Sequence, residues 1–327
     1  MLYLCTLTLS VGVYFFSKGV NLLIGKHLLG LENVDKKDIE NILTTAESFI
    51  DIIDRDVKKV PTLRGKTVIN LFYEPSTRTR TSFELAGKYL SADTINFSPS
   101  TSSVKKGESL KDTAKTLEMM GADAIVIRHS SSGAASYLTN HVNASVVNAG
   151  DGTHEHPTQA LLDMFTVKRF KGRLSGLKVA VIGDILHSRV ARSNIYGFSK
   201  MGSDVYVSGP NTLMPFQIEE MGAKVADNVE EAVKDADVVI ALRIQMERQK
   251  AGLFPSEREY SKLFGIDINK LSLAKQDVLL LHPGPVNRGI ELSSEVIDGN
   301  RSVINEQVKS GVAVRMAILY LLIGGAR

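Results

Sequence analysis

Between Ser76 and Ser82 the chain reads Ser-Thr-Arg-Thr-Arg-Thr-Ser, placing five hydroxyls and two guanidiniums in seven residues. The stretch follows an apolar run over 67–72, which predicts a strand, and leads into a helix-like pattern over 82–90. The first turn of a helix carries unpaired backbone N–H groups at the positive end of the macrodipole. A phosphate placed there gains from both. Ser76, Thr77 and Thr79 can add hydroxyl donors, and the planar guanidinium of Arg78 can fork two charge-assisted bonds onto phosphate oxygens. One Ser-Thr-Arg alone would be a capped helix with a solvated basic edge; this density of donors points to a phosphate site.

Other residues of this kind also follow strand-like runs. Arg128 closes the apolar run 124–127, and His156 and Gln159 follow the run 144–147 through a glycine-containing turn. Arg189 stands at a predicted helix start, and Arg243 comes directly after the strand-like 238–242. Arginines are ordinarily surface residues, but a pair at carboxyl ends of strands can hold a carboxylate-rich ligand bidentately. A serine-rich loop over 98–109 carries Ser102, Ser103, Lys105 and Lys106; such loops are usually solvent connectors, yet two adjacent lysines can also swing over a bound anion. His282-Pro283-Gly284-Pro285 ends a further apolar run. Its prolines remove N–H donors and leave carbonyls that can accept from an amide NH₂, where the plainer reading is a tight turn.

Several chemistries are excluded. His154 and His156 have no zinc-type partner spacing, so no metal is expected. The run 179–184 resembles the first strand of a dinucleotide fold, but His187, Ser188 and Arg189 stand where close-approach glycines are needed. There is neither a Gly-x-Ser-x-Gly elbow nor a Walker loop. The one cysteine, Cys5, allows no intrachain disulfide and fits a reducing cytoplasm. A net charge of +3 gives no argument for nucleic acid.

The elements that must position these residues alternate strand, polar turn and helix, which predicts parallel sheets covered by helices. Ligands in such sheets sit beyond the carboxyl ends of the strands, where Arg78, Arg128 and His156 would converge. The 327 residues suffice for two domains of similar size. The first is expected over 27–168, with Asp35 capping an early helix, and the second over 169–304, after a basic linker at 168–173. An apolar C-terminal helix within 305–327 is expected to return to the first domain. Residues 1–26 open with an apolar run lacking preceding Lys or Arg and a cleavage site, and read as a nonfunctional extension in preference to a membrane anchor.

From 27 onward these motifs together resemble the aspartate/ornithine carbamoyltransferase family, and its aspartate-specific catalytic chains in particular. The resemblance implies carbamoyl transfer from carbamoyl phosphate to the amine of L-aspartate, in pyrimidine synthesis, without a cofactor. The Ser-Thr-Arg-Thr-Arg block is common to both branches. His282-Pro283-Gly284-Pro285 stands where ornithine enzymes have His-Cys-Leu-Pro, and Arg243 and Gln245 stand where aspartate enzymes hold their acceptor.

By resemblance, Ser76, Thr77, Arg78 and Thr79 hold phosphate, and Arg128, His156 and Thr79 act on the carbonyl oxygen. Gln159 and the Gly284-Pro285 segment take the carbamoyl NH₂. Lys106, beside Ser102 or Ser103, reaches into a neighbouring subunit's site, and Arg189, Arg243 and Gln245 hold aspartate. The resemblance further implies a cytoplasmic homotrimer with shared sites, and admits a regulatory chain or another pyrimidine-pathway enzyme as partner. Neither nucleic acid nor membrane is expected.

Overall fold

The run from Val68 to Phe72 is buried throughout, as a central parallel strand covered on both faces must be. In the computed structural model, which describes residues 25–98, 107–244 and 256–324, it belongs to the first of two sheets. The first half of the chain forms α1 (Lys36–Ile53), β1 (Thr67–Phe72), α2 (Thr77–Tyr89), β2 (Asp93–Phe97) and α3 (Leu110–Met119). It continues with β3 (Ala124–His129), α4 (Ala134–Thr139), β4 (Ser145–Asp151) and α5 (Pro157–Lys171). The strands pair in parallel in the order β2-β1-β3-β4.

The second half opens with β5 (Lys178–Ile182), α6 (Arg189–Lys200), β6 (Asp204–Ser208), β7 (Ala223–Val225) and α7 (Val229–Val233). It then runs through β8 (Val238–Ala241), α8 (Glu257–Phe264), α9 (Ile268–Leu271), β9 (Leu279–Leu281), α10 (Ser294–Ile297) and α11 (Ile304–Leu319). Its strands are also parallel, in the order β7-β6-β5-β8-β9. Chain order reverses between β5 and β8, so a crevice opens at the carboxyl ends of those two strands.

Two helices join the halves. Every residue of α5 from Pro157 to Val167 is buried, because α1, β4 and α11 pack on one side and α6 of the second half on the other. α11 returns to the first half and packs on α1, α2 and α5. Together with the π-helical turn Tyr320–Gly324, it is long and apolar enough to span a membrane, but it is the buried core helix of this fold. The largest apolar cluster runs from Leu28 through Phe165 to Val181, so one core serves both sheets.

Local details depart from the sequence pattern. α2 begins at Thr77, inside the hydroxyl-arginine motif, five residues before the helical periodicity becomes legible. Most of the basic stretch 168–173 is helix; only Gly172 and Arg173 lie in the connection from α5 to β5. Lys168, Arg169 and Lys171 form the last turn of α5, where cations face the negative end of the dipole, and Gly172 ends the helix at φ 71°. Asp35 stands at the N-cap of α1, but its side chain makes no capping bond. The expected extension 1–26 lies outside the described residues except for Gly25 and Lys26.

Candidate active site

β1 ends at Phe72, and the chain turns through Glu74 and Pro75 into α2, whose N-cap is Ser76. The Ser76 side chain makes no capping bond, so its hydroxyl is not engaged by the helix it starts. Thr77, Arg78 and Thr79 occupy the first turn, where helix geometry leaves backbone N–H groups without intrahelical partners. Pro75 through Thr79 line a cavity of about 600 Å³ between the two sheets. Arg80 points elsewhere on the helix and is exposed.

Arg128, at the end of β3, is in register with Phe72 and so stands beside the start of the α2 turn. Its guanidinium donates to the Ala149 carbonyl at 3.3 Å and lies in the cavity wall. His156 is the N-cap residue of α5. Its backbone N–H donates to Ser193 Oγ at 2.9 Å, and that hydroxyl donates to Glu155 at 2.7 Å, which fixes where the imidazole leaves the chain. Burial pushes the imidazole well below its usual range, and the charges of Arg128, Arg189 and Arg315 push it the same way. His156 is therefore neutral and can offer one N–H without bringing a charge. Gln159, one turn further along α5, also lines the cavity.

The opposite wall comes from the second sheet. Arg189 begins α6, and Arg243 follows β8. Asp184 and His187 join them in the wall, with His187 Nδ1 3.1 Å from the Asp184 carboxylate. After β9, the His282–Pro285 segment brings Pro283, Gly284 and Pro285 to the cavity; the Gly284-Pro285 peptide is cis. Gly284 N–H donates to His282 Nδ1 at 2.8 Å, which leaves His282 Nε2 to face Glu291 at 3.2 Å. Burial lowers the His282 pKa, in keeping with a neutral ring that accepts at Nδ1.

The two walls touch at named atoms. Gly284 has φ +67°, and a Cβ placed on it would overlap the Arg78 guanidinium. The start of α2 thus lies directly beneath the proline-glycine turn. Arg189, too, packs closely against the first sheet: a Cβ at Gly150 would come within 2.8 Å of its Nε. Arg189 also donates to Glu74 at 2.6 Å, and the same Glu74 oxygen lies 3.3 Å from Arg128 Nε.

The structure brings together Ser76, Thr77, Arg78, Thr79, Arg128, His156, Gln159, Arg189, Arg243, Gly284 and Pro285. Lys106 and Gln245, with Ser102, Ser103 and Lys105, lie outside the described residues. Sequence reasoning missed Glu74 and Asp184 as parts of the site. Glu74 stood in plain view at a strand end beside the phosphate motif, where a carboxylate among arginines invites an ion pair. Asp184 occupies the same position after β5.

A group of possible metal donors, Glu32, His154 and Glu155, lies nearby, with donor atoms within 4.8 Å of one another. Those donors have protein partners. The Glu155 carboxylate accepts from the Leu31 and Glu32 N–H groups and from Ser193, and His154 Nδ1 faces Asp151 at 3.1 Å.

Residues 26–169 match the carbamoyl-phosphate-binding domain model of the aspartate/ornithine carbamoyltransferases, and 175–322 match the Asp/Orn-binding domain model. The chain belongs to the aspartate/ornithine carbamoyltransferase family. Within the family it is 63% identical over 303 residues to the aspartate carbamoyltransferase catalytic subunit of Pelotomaculum thermopropionicum, covering 93% of this chain and 98% of that one. The corresponding subunit of Moorella thermoacetica is 61% identical, with 92% and 98% covered. Among solved structures, ornithine carbamoyltransferase from Pyrococcus furiosus superposes with a TM-score of 0.83 at 31% identity, covering 93% of this chain and 99% of that one. Trypanosoma cruzi aspartate transcarbamoylase in complex with carbamoyl phosphate and aspartate gives 0.82 at 30%, with 92% and 96% covered. Fold similarity therefore spans both branches of the family, while the high identities are to aspartate-branch subunits.

Proposed function

We propose that this cavity passes the carbamoyl group of carbamoyl phosphate to the amino group of L-aspartate, giving N-carbamoyl-L-aspartate and phosphate, an early step of pyrimidine synthesis. The observation that carries the site assignment is the meeting of Arg78 with Gly284. One cavity thereby offers helix-start donors for a phosphate and turn carbonyls for an amide, with Arg189 and Arg243 on the facing wall.

Ser76, Thr77, Arg78 and Thr79 hold the phosphate. Arg128, neutral His156 and Thr79 donate toward the carbonyl oxygen, while Gln159 and the Pro285 carbonyl accept from the carbamoyl NH₂. Arg189 and Arg243, with Gln245, receive the two carboxylates of aspartate. Ornithine would bring an ammonium group to the same arginines and be repelled.

The amine attacks as a neutral nucleophile. Negative charge then grows on the carbonyl oxygen before phosphate departs with its electron pair and accepts the amine proton. Orientation of two anions and stabilisation of the developing oxyanion by fixed donors account for the acceleration. The protein supplies no covalent nucleophile in this scheme.

The working unit in this reading is a cytoplasmic homotrimer. Lys106, beside Ser102 or Ser103, enters a neighbouring subunit's site and completes its hold on both substrates. The adjacent lysines in a serine-rich loop support this reading, and coexpression of inactive Lys106→Ala and Arg78→Ala chains tests it: recovered activity in verified mixed oligomers is expected, and none would reject sharing. Acceptor choice is tested by phosphate release from carbamoyl phosphate with purified protein. Aspartate should drive it and ornithine should not; release driven by ornithine would overturn the assignment.

A further inference from the structure

Asp163 lies on α5 one helical turn beyond Gln159 and is fully buried. Three side-chain amides from three helices converge on its carboxylate. Gln159 Nε2 donates to Oδ1 at 2.9 Å, Gln307 Nε2 of α11 to the same oxygen at 2.7 Å, and Asn194 Nδ2 of α6 to Oδ2 at 2.9 Å. An ionised carboxylate only accepts. Each amide must therefore turn its NH₂ toward Asp163 and its carbonyl oxygen away.

The outward ends matter. Gln159 lines the cavity, so its free end there is an acceptor. Gln307 Oε1 accepts the backbone N–H of His282 at 2.9 Å, and His282 begins the turn that carries Pro285. One buried carboxylate is thus linked to a side-chain acceptor and a backbone acceptor in the cavity wall.

We infer that Asp163 is a positioning residue that sets the cavity's selectivity for a carbamoyl NH₂, by orienting the Gln159 amide directly and the His282–Pro285 turn through Gln307. The inference rests on the reading of this cavity as a carbamoyl phosphate site. An Asp163 unable to accept would let the Gln159 amide rotate by half a turn and aim a donor at a donor. Burial pushes the Asp163 carboxyl up to about 6, against the effect of the three amides and of Arg315, so it remains largely ionised at neutral pH. The bonds from Asp163 reach Gln159 directly and the His282–Pro285 turn through Gln307, so the main effect falls on the NH₂ end of the ligand.

Acetyl phosphate isolates that end, because it keeps the phosphate and carbonyl and replaces NH₂ with CH₃. Affinities of the intact protein for carbamoyl phosphate and acetyl phosphate are measured by calorimetry near neutral pH. Unmodified protein should prefer carbamoyl phosphate. Asp163→Leu should bind carbamoyl phosphate roughly tenfold more weakly, the loss of about one hydrogen bond, while acetyl phosphate binding stays within about twofold. Asp163→Asn should retain most of the preference: its oxygen still accepts from Gln159 and Gln307, and its NH₂ faces Asn194, whose Oδ1 has no protein partner.

Equal weakening of both ligands in Asp163→Leu, or no change in either, overturns the inference. Should that variant fail to fold by circular dichroism, Gln307→Met cuts the link to the turn alone, and the same selective loss, reduced in size, is required of it. Unmodified protein that binds neither phosphate, or binds both equally, overturns instead the underlying reading of the cavity.

Discussion

Arg189 and Glu74 lie 115 residues apart in sequence and meet in a 2.6 Å ion pair across the junction of the two sheets. Their side chains are almost wholly enclosed, at 5% and 12% exposure. Because the same Glu74 oxygen faces Arg128, one carboxylate balances a guanidinium from each half of the molecule. In the proposed reaction an aspartate carboxylate arriving at Arg189 would share or displace that partner.

Glu74→Gln keeps the shape and removes the charge. Breaking a buried pair on one side typically costs about 3 kcal/mol or more, so urea unfolding should show a loss of that order. The KM for aspartate should rise well beyond that for carbamoyl phosphate. Unchanged stability together with an unchanged aspartate KM would mean the pair is neither structural nor functional.

At Gly284 the smallest substitution is the informative one. A methyl group in Gly284→Ala falls on Arg78, and the φ of +67° disfavours any side chain. Carbamoyl phosphate affinity should drop by about tenfold or more as Arg78 is pushed aside, equivalent to about 1.4 kcal/mol, with Arg189 and Arg243 left in place. Calorimetric titration with carbamoyl phosphate reads this directly.

His156 takes a proton near 6.5 when unfolded but only well below that when folded. Between those values the unfolded chain alone binds the proton, so stability falls as pH drops through the window and does not vary with this group above it. His156→Gln should flatten that acid limb of the stability curve. The same change should lower turnover by about 10²–10³, the usual loss of one oxyanion donor. Stability curves of parent and variant that stay parallel from pH 7 downward would contradict the neutral imidazole.

Arg78 and Arg243 should separate the two substrates. Arg78→Ala is expected to abolish most turnover and carbamoyl phosphate binding with little effect on the melting temperature, since the side chain is exposed at the start of α2. Arg243→Ala should spoil aspartate saturation and largely keep carbamoyl phosphate binding. Matching defects for both substrates in the two variants would deny the division of labour.

The proposed phosphate side of the site was legible because its residues are contiguous: a buried strand, a turn and a helix start lie within 67–79 and need no tertiary contact to be recognised. The start of α2 was not, since Thr, Arg and Ser give no apolar periodicity and the hydroxyls favour turns as readily as helices. Asp163 was invisible for the opposite reason. α5 is buried on all sides, so a polar residue in it breaks no face pattern, and two of its three amide partners, Asn194 and Gln307, come from helices distant in sequence. Glu74 could be seen but not assigned, because Arg189 reaches it only when the two sheets are docked.

The return of α11 to the first sheet has a consequence for the order of assembly during synthesis. Chains emerge amino end first at about 5–20 residues per second, so the surfaces of α1 and α2 that α11 covers wait through the more than 200 residues between Tyr89 and Ile304, roughly ten seconds or more. The second sheet, contiguous from β5 to β9, is the unit that can close first. The half that carries the hydroxyl-arginine motif begins earlier on the ribosome and finishes last.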